Sequence, residues 1–520
     1  MLSRKIPLAE TPEAARDIVP TYASRGLTHP IPRYQLPEES MDAGSAYQII
    51  HDELALDSNP ALNVATFVTT YMDREADRLM AETANKNAID WDEYPQTVEI
   101  QDRCVNILSR LFQAPEHQVG VGTATVGSSE AIHLAGLAMK FRWRAARLAA
   151  QLPSDRPNLV MGANVQVCWE KFCRYFDVEP RYVPLTTTRF IIGVPEAMAL
   201  VDENTIGVVG ILGSTYTGEY EPIAELDAAL GQVCATHGWD VPLHVDAASG
   251  GFVAPFVHPE LRWDFRLPRV RSINVSGHKY GLVYPGVGWV IWRDTEDLPK
   301  ELTFEVDYLG GSHANFGLNF SRGAAQIVAQ YYNLIRLGRR GYQGIMQALG
   351  ETAQWIAAQV DTLEGFEVIA RGTDLPVVCI RLDDSLPFSV FDLSDRLRMR
   401  GWVVPAYRMA ADAESVAVLR IVVREGLSRD MADNLVTDIR TATDFLAAHS
   451  PEATASQAAE AAHATAGAAE VKMAAADVAA KTHPSAPAPP PAATPAAVAT
   501  RPTPTVGLAS DDSPKTRAVC

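Results

Sequence analysis

The sequence predicts an α/β fold in which a large domain with a mostly parallel sheet precedes a small α+β C-terminal domain. Short, continuous apolar runs at 206–212, 241–245 and 288–292 alternate with longer helical patterns, which is typical of strands buried on both faces of a parallel sheet. A second series of helix and strand patterns begins near residue 346. Because a chain of 520 residues exceeds the usual size of a single hydrophobic core, we expect two folded domains.

Composition divides the chain into four parts. Residues 1–60 are rich in proline and charge and are expected to form an N-terminal arm, residues 61–345 the large domain and residues 346–450 the small domain. Residues 451–520 consist mainly of Ala, Pro, Thr and Ser and contain no Trp, Phe or Tyr. Because this composition supplies no hydrophobic core, we expect a disordered tail. The predicted elements are helices at 46–56, 129–150, 324–337, 352–363 and 393–400, and strands at 206–212, 241–245, 270–275, 288–292, 376–382 and 416–423.

Charge and cysteine usage exclude several classes of protein. The net charge of −18 leaves few cations to neutralise phosphates, so neither a nucleic acid nor an anionic membrane is an expected partner. No apolar run is long enough to span a bilayer, and no signal peptide is recognisable; we therefore expect a cytoplasmic protein. The six cysteines form no CxxC pair and no zinc-type spacing with histidine, so we expect reduced, buried thiols and no metal site.

The most informative motif is Ser276-Gly277-His278-Lys279, which follows one predicted strand, while Asp246 ends another. A lysine in this place can reach across the edge of the sheet and form a Schiff base with a carbonyl cofactor. An aspartate from the neighbouring strand can pair with a pyridinium nitrogen, which keeps the ring an effective electron sink. The pattern therefore predicts a site for pyridoxal 5'-phosphate (PLP). The alternative is an exposed lysine after a Gly-His turn, with an aspartate that serves only as a turn residue.

A phosphate seat is predicted directly before a long helix. Gly127 permits a tight turn, and the backbone N–H groups of Ser128 and Ser129 then lie at a helix N-terminus, where the dipole favours anions. Thr215 ends another buried strand and is expected in the same crevice, while His278 would support the phosphate or transfer protons. The alternatives are an ordinary serine N-cap, a loop hydroxyl and a hydrogen-bonded turn histidine.

Together these motifs resemble those of the PLP-dependent glutamate decarboxylases, which are group II decarboxylases of fold type I. The resemblance extends over residues 28–448. Segments 276–281 and 244–251 are common to the wider family, whereas aromatic-amino-acid decarboxylases differ across 63–70 and 85–95. The segments most specific to glutamate decarboxylases are 63–70, 85–95, 165–172, 213–220, 319–322 and 419–424.

The resemblance implies a fold type I architecture and the conversion of L-glutamate to 4-aminobutanoate and CO₂ with PLP. It implies that Lys279 binds the cofactor covalently and that Asp246 pairs with the pyridine nitrogen. Tyr308, in a glycine-containing loop, would donate the proton to the product carbon or order the site. The other implied cofactor contacts are Ser128, Ser129 and His278 at the phosphate, Thr215 near the ring substituents, Gln166 over the ring face, and Ser321 at the phosphate of the other subunit.

The resemblance also implies substrate contacts and partners. Arg420 would take the α-carboxylate, and Thr66, Phe67, Asn87 and Asp90 would form the pocket for the distal carboxylate. An aspartate in that pocket must be protonated or act as a hydrogen-bonded organiser, because two carboxylates repel each other. A shared site requires at least a homodimer, and a hexamer stays possible. Calmodulin, which binds the C-terminus of plant relatives, is not an expected partner, because this tail lacks a basic amphipathic stretch with aromatic side chains.

Two other functions compete with this interpretation. One is an enzyme on the same scaffold that uses aspartate or an aromatic amino acid, against which segments 63–70 and 85–95 argue. The other is a scaffold or sensor protein without turnover. The presence of Lys279, Asp246 and the phosphate seat argues against this second alternative.

One histidine of the tail bears on the pH dependence. His463 falls at the place of a terminal histidine that, in some bacterial relatives, enters the site near neutral pH and adds to the cofactor imine. A histidine suits this task because its charge changes near neutrality. However, His463 has no aromatic neighbours that would dock it, so a solvated histidine in the tail is the favoured interpretation.

Overall fold

The computed structural model describes residues 32–115, 119–306 and 313–449. All of them belong to one unit of the chain, residues 1–458. Tyr308, His463 and the tail at 451–520 lie outside the described residues, as does most of the N-terminal arm, so the predictions made for them stay predictions.

Seven strands form the large sheet: β1 (Val121–Thr125), β2 (Asn158–Gly162), β3 (Glu179–Val183), β4 (Thr205–Ile211), β5 (Leu243–Asp246), β6 (Val270–Val275) and β7 (Gly288–Trp292). Their order across the sheet is β1-β7-β6-β5-β4-β2-β3. Strand β7 is antiparallel to both of its neighbours, and the pairs from β6 to β3 are all parallel. Strands β2, β4, β5 and β7 are buried along their whole length, which explains their continuous apolar sequences. The predicted mostly parallel sheet is confirmed.

The small sheet and a two-stranded ribbon follow in the chain. The ribbon pairs β8 (Phe304–Val306) with β9 (His313–Asn315). The small sheet consists of β10 (Phe366–Arg371), β11 (Val377–Leu382), β12 (Ala406–Arg408) and β13 (Ala417–Val422), in the antiparallel order β10-β11-β13-β12. Strands β11 and β13 match the predictions at 376–382 and 416–423. The predicted α+β character of this part is confirmed.

The described residues contain eleven α-helices, none of which is long and apolar enough to cross a membrane. Helices near 46–56, 129–150 and 393–400 were expected from the periodicity and are present. The helices are α1 (Ala43–Leu54), α2 (Arg74–Thr83), α3 (Pro95–Leu111), α4 (Ser128–Ala149), α5 (Val167–Tyr175), α6 (Val194–Ala199), α7 (Ile223–His237), α8 (Ala254–Val257), α9 (Ala325–Val360), α10 (Val390–Arg398) and α11 (Arg429–Ala448).

Helix α9 corrects the start of one predicted helix. The sequence predicts two helices, at 324–337 and 352–363; the first ends where Gly338 leaves the helical conformation, whereas the second begins directly after this glycine, earlier than predicted. Helix α9 is kinked at Gly338, whose φ of 55° lies in the left-handed region that glycine tolerates. Buried Tyr342 and Met346 continue the apolar stripe beyond the kink. The boundary expected at residue 345 falls inside this helix, so the division into domains stays a prediction.

The site is placed by the carboxyl ends of the parallel strands. Strands β2, β4, β5 and β6 run in the same direction, so Gly162, Ile211, Asp246 and Val275 all lie at one edge of the sheet. Ligands of α/β proteins bind at this edge. Residues that are far apart in the sequence are thereby brought to one place.

Candidate active site

A cavity of about 400 Å³ opens at the carboxyl edge of the large sheet. It contains most of the residues that the sequence assigns to the cofactor. Residues that line it include Gly127, Ser128, Ser129, Asn164, Gln166, Cys168, Thr215, Asp246, Ser249, Ser276, His278 and Lys279. The structure therefore brings the predicted lysine, aspartate and phosphate seat together.

Lys279 presents its amine inside this cavity. Its Nζ donates a hydrogen bond to Oγ of Ser249 at 3.3 Å. Burial lowers the pKa of Lys279 below its usual value, and nearby Arg420 lowers it further, while Asp246 and Cys168 act in the opposite direction. A lowered pKa increases the fraction of neutral amine, which is the form that attacks a carbonyl carbon.

Asp246 is a buried carboxylate held from both sides. It is 5% exposed. Its Oδ2 accepts from the indole Nε1 of Trp169 at 2.9 Å. Its Oδ1 accepts from Nδ2 of Asn274 at 2.9 Å and from the backbone N–H of Ala248 at 3.2 Å. These donors fix the orientation of the carboxylate at the end of β5, where the sequence predicts the partner of the pyridine nitrogen.

A chain of polar side chains lies behind this carboxylate. Nε2 of His244 is 2.8 Å from Oδ1 of Asn274, and Nδ1 of His244 is 2.7 Å from Oγ of Ser272. His244 is fully buried, and burial lowers its pKa to about 4. Neutral His244 thus donates to Asn274 through Nε2–H, so that the Asn274 amide faces Asp246. The Trp169 ring packs edge-on against His244, with 5.2 Å between the ring centroids.

The phosphate seat is formed at the start of α4. The N-cap residue Gly127 has no side chain that could cap the helix, which leaves its first N–H groups available to an anion. A Cβ at Gly127 would lie 3.0 Å from Cε1 of His278, so the glycine keeps the seat open. Oγ of Ser128 is 2.7 Å from Oγ of Ser276, and Ser129 lies in the first turn of α4.

His278 closes the other side of the seat. Its Nδ1 is buried and has no hydrogen-bond partner among the described residues. Burial, with a smaller contribution from the charge of Lys279, lowers the pKa of His278 to about 4. An unpaired buried nitrogen beside a helix N-terminus calls for a ligand, because an unmatched polar atom is costly. A phosphate group fits this donor set.

Phe67 and Arg420 lie next to the lysine. Nζ of Lys279 is 5.4 Å from the centroid of the Phe67 ring, and the guanidinium carbon of Arg420 is 4.9 Å from it. Arg420 donates through Nη2 to the carbonyl of Ala65 at 2.7 Å and through Nη1 to the carbonyl of Thr215. Its Nε is buried without a hydrogen-bond partner among the described residues. Nε is therefore a guanidinium donor without a partner among the described residues, and Nη1 and Nη2 each carry a second N–H.

Thr66 occupies the turn that precedes these contacts. Its Oγ1 accepts from the backbone N–H of Val68 at 3.0 Å, and the side chain is half-buried. The hydroxyl thereby keeps its own hydrogen available as a donor. Thr66 is adjacent in the chain to Phe67, which contacts Lys279.

Asn87, Asp90 and Ser321 form a separate cluster. Nδ2 of Asn87 donates to Oδ1 of Asp90 at 3.2 Å and to Oγ of Ser321 at 3.4 Å. Oδ1 of Asn87 accepts from the backbone N–H of Arg322 at 3.1 Å. Among the hydrogen bonds of the described residues, none joins this cluster to a residue that lines the cavity, and Ser321 is exposed. Within one chain, the structure does not bring these residues together with Lys279.

Several residues of the site have no role in the sequence-based interpretation. Ser276, Ser249 and Asn164 line the cavity, and Trp169 and Asn274 hold Asp246. Ser276 opens the motif that contains Lys279, and two residues separate it from the lysine. The other four residues come from different loops and strands, and no local sequence pattern marks them as part of the site.

The sequence profile described as "Pyridoxal-dependent decarboxylase conserved domain" matches residues 37–383. The chain belongs to this family. The cavity fits this family, because a lysine, an aspartate and a phosphate seat are the groups that PLP requires. The cofactor expected from the sequence is thereby confirmed.

Within the pyridoxal-dependent decarboxylases, the chain is similar to glutamate decarboxylases. It is 53% identical to glutamate decarboxylase of Solanum lycopersicum over 421 residues, which cover 81% of this chain and 84% of that one. It is 48% identical to glutamate decarboxylase of Aliivibrio fischeri, with coverages of 82% and 93%. The solved structure of Lactobacillus brevis glutamate decarboxylase superposes with a TM-score of 0.80 at 46% identity, over 82% of this chain and 98% of that one.

Proposed function

We propose that this protein decarboxylates L-glutamate to 4-aminobutanoate and CO₂ with PLP as its cofactor. The observation that carries the proposal is the meeting of Lys279, Asp246 and the start of α4 in one cavity. The identity of about half of the residues to glutamate decarboxylases, over most of the chain, supports the substrate. The same comparisons argue against a protein that retains the fold without turnover.

The residues around the cofactor have distinct tasks. When bound, PLP supplies an electron sink for the electron pair that the departing α-carboxylate leaves behind. Lys279 supplies the amine that holds the cofactor covalently, and Ser128, Ser129 and His278 hold its phosphate. Asp246 keeps the pyridine nitrogen protonated. A negative charge that is already oriented needs no reorganisation during the reaction, which is the main source of electrostatic catalysis.

The α-carboxylate is assigned to Arg420. Its free Nε is a donor that suits this assignment, while its other two nitrogens hold Ala65 and Thr215 in place. Gln166 lines the cavity as the N-cap of α5 and is assigned to the ring face of the cofactor. Thr215 lines the cavity in the loop that follows β4 and is assigned to the ring substituents. Tyr308 stays the proposed proton donor.

The distal carboxylate of glutamate is assigned to residues from two subunits. Thr66 and Phe67 lie beside Lys279 of their own chain. Asn87 donates hydrogen bonds to Asp90 and to exposed Ser321, a residue assigned to the phosphate of the other subunit. The three residues therefore complete the site of a partner, so the active form is at least a homodimer. The hydrogen bond from Asn87 gives Asp90 the organising role that an aspartate in this pocket requires.

A cytoplasmic location is proposed, since Cys104, Cys168, Cys173, Cys234 and Cys379 are free, buried thiols, as is usual in a reducing compartment. Calmodulin is not a proposed partner, for the compositional reason given above.

A substrate panel tests the proposed reaction. The purified protein, saturated with PLP, is supplied with L-glutamate, L-aspartate or L-tyrosine, and the amine product is quantified. One missing methylene is worth roughly 10- to 200-fold in kcat/KM, so glutamate is expected to exceed aspartate by that margin and tyrosine by more. Equal or higher kcat/KM with aspartate or tyrosine would contradict the assigned substrate.

A complementation experiment tests the shared site. Subunits that carry Lys279→Ala are co-expressed with subunits that carry Asn87→Ala, and each variant is also expressed alone. In a shared site, the mixed dimer contains one intact site, so activity is expected to exceed that of either variant alone. Activity no higher than that of the single variants would show that Asn87 acts in its own chain.

A further inference from the structure

Residues 60–70, here called the connecting segment, lie between the small sheet and the loop that carries Lys279. On one side, the backbone N–H of Val422 in β13 donates to the carbonyl of Val64 at 2.9 Å, and Val64 donates to the carbonyl of Val403 at 3.1 Å. On the other side, the segment contacts the backbone of His278 and Lys279. The segment is therefore a physical link between β13 and the cofactor-binding lysine.

Arg424, two residues after the end of β13, holds the two ends of the connecting segment. Its Nη2 donates to the carbonyls of Pro60 at 2.8 Å and Asn63 at 2.6 Å, and its Nη1 donates to Oγ1 of Thr70. Arg424 is 5% exposed. A buried guanidinium is costly unless its donors are paired. Nη1 and Nη2 are paired with the connecting segment, whereas Nε has no partner among the described residues. Arg424 does not line the cavity.

Thr69 makes the contact with the lysine loop. Its backbone N–H donates to the carbonyl of His278 at 2.8 Å, and its hydroxyl donates to the carbonyl of Lys279 at 2.7 Å. Thr69 is 4% exposed, so water does not compete for these bonds. The carbonyl of Lys279 also accepts from the N–H of Leu282 at 3.1 Å. The peptide of the lysine is thus fixed from its own loop and from the connecting segment.

We propose that Thr69 is a positioning residue for Lys279, and that Arg424 supports it through the connecting segment. A lysine side chain has four flexible methylenes, so the place of its backbone decides which positions its amine reaches without strain. By binding the carbonyls of both His278 and Lys279, Thr69 fixes the position of the lysine amine relative to Asp246. It also fixes the position of His278 relative to the phosphate seat. Such alignment is a large part of what an active site contributes to a reaction.

The test uses the holoenzyme and is made without substrate. Thr69→Val keeps the shape of the side chain and its backbone N–H but removes the hydroxyl, whereas Thr69→Ser keeps the hydroxyl. Two quantities are measured: the Kd for PLP, and the pH at which the visible absorbance of the lysine-bound cofactor changes. One lost hydrogen bond predicts that Thr69→Val weakens PLP binding about fivefold and moves this pH by roughly 0.5 to 1 unit. Thr69→Ser is expected to restore both values.

The matched control is Thr83→Val. The hydroxyl of Thr83 donates to the carbonyl of Leu79 in α2, so this change removes the same type of bond elsewhere. It is expected to leave the PLP affinity and the absorbance titration unchanged. If Thr69→Val alters only the melting temperature, as Thr83→Val does, or if Thr69→Ser does not restore the titration, the proposal is wrong.

Two further variants keep the proposal testable if Thr69→Val does not fold. Thr69→Ala removes the same hydroxyl with less crowding, and Arg424→Gln releases the connecting segment from its far side. Both are expected to weaken PLP binding and to shift the titration in the direction of Thr69→Val, and unchanged values in both would overturn the proposal. The inference rests on PLP as the cofactor and not on glutamate as the substrate. A wild-type protein that binds no PLP would instead overturn the proposed function.

Discussion

The indole N–H of Trp169 donates to Oδ2 of Asp246 at 2.9 Å, from the first turn of α5. Asn274 and the backbone of Ala248 hold the second oxygen of the same carboxylate. Both oxygens are therefore oriented by the protein before any cofactor is bound. It follows that the strength of the contact between Asp246 and the cofactor depends on Trp169 and Asn274, which do not line the cavity.

Replacement of Trp169 tests this dependence. Trp169→Phe removes the N–H donor and keeps most of the ring packing. Hydrogen bonds to charged groups contribute about 1.5–3 kcal/mol, and each 1.4 kcal/mol corresponds to about tenfold in rate. We expect kcat/KM for glutamate to fall by about tenfold, with weaker PLP binding. Trp402→Phe is the control, because Trp402 makes the same type of bond to Asp438 at 2.8 Å; equal losses in both variants would contradict the account.

The low pKa of His244 predicts a pH dependence of stability. Burial lowers the pKa of His244 from 6.5 to about 4 in the folded protein. Between these values the unfolded chain binds a proton that the folded chain does not, so the contribution is complete above pH 6.5 and is lost as the pH falls toward 4. His244→Gln removes this group. Between pH 7 and pH 4.5, we expect the free energy of unfolding to fall by ~2 kcal/mol more in the wild type.

Urea unfolding at a fixed, saturating PLP concentration measures this difference. The comparison with His244→Gln cancels the contributions of titrating groups that do not interact with His244. If the two proteins lose the same free energy of unfolding over this range, His244 is not held in its neutral form by burial.

The absence of a side chain at Gly127 determines how wide the phosphate seat is. Gly127→Ala places a Cβ 3.0 Å from Cε1 of His278, which narrows the space in front of the N-terminus of α4. We expect the Kd for PLP to rise by about tenfold, equivalent to 1.4 kcal/mol. Gly344→Ala is the control: no atom lies within 4 Å of the added Cβ, and alanine is favoured in a helix by about 1 kcal/mol. An unchanged PLP affinity in Gly127→Ala would contradict the assignment of the seat.

The main parts of the fold and of the cavity follow from local sequence patterns. Strands β4, β5 and β7 are buried on both faces, so their apolar runs are continuous and easy to recognise. The parallel strands β5 and β6 share one carboxyl edge. Asp246 at the end of β5 and Lys279 after β6 can therefore be predicted to lie close together. The helix N-terminus at Ser128 is likewise marked by its own glycine and serines.

Other features depend on tertiary contacts that no local pattern records. Strand β3, with the sequence Glu-Pro-Arg-Tyr-Val, lies at the edge of the sheet and is largely exposed, so it lacks an apolar run. The bond between Trp169 and Asp246 joins residues 77 positions apart, and that between Asn87 and Ser321 joins residues 234 positions apart. Within α9, the non-helical backbone of Gly338 separates two helical stretches, and no local pattern marks the start of the second one directly after this glycine.

We propose that Lys279 and its cavity carry out the decarboxylation of glutamate. The most direct measurement supplies L-glutamate labelled with ¹³C at C1 to the PLP-saturated protein and follows labelled CO₂ and 4-aminobutanoate together, for the wild type and for Lys279→Ala. The account predicts that the wild type forms the two products in equal amounts. Lys279→Ala is predicted to keep its fold by circular dichroism and to form neither product. Undiminished formation of both products by Lys279→Ala, or their absence with the folded, PLP-bound wild type, would contradict it.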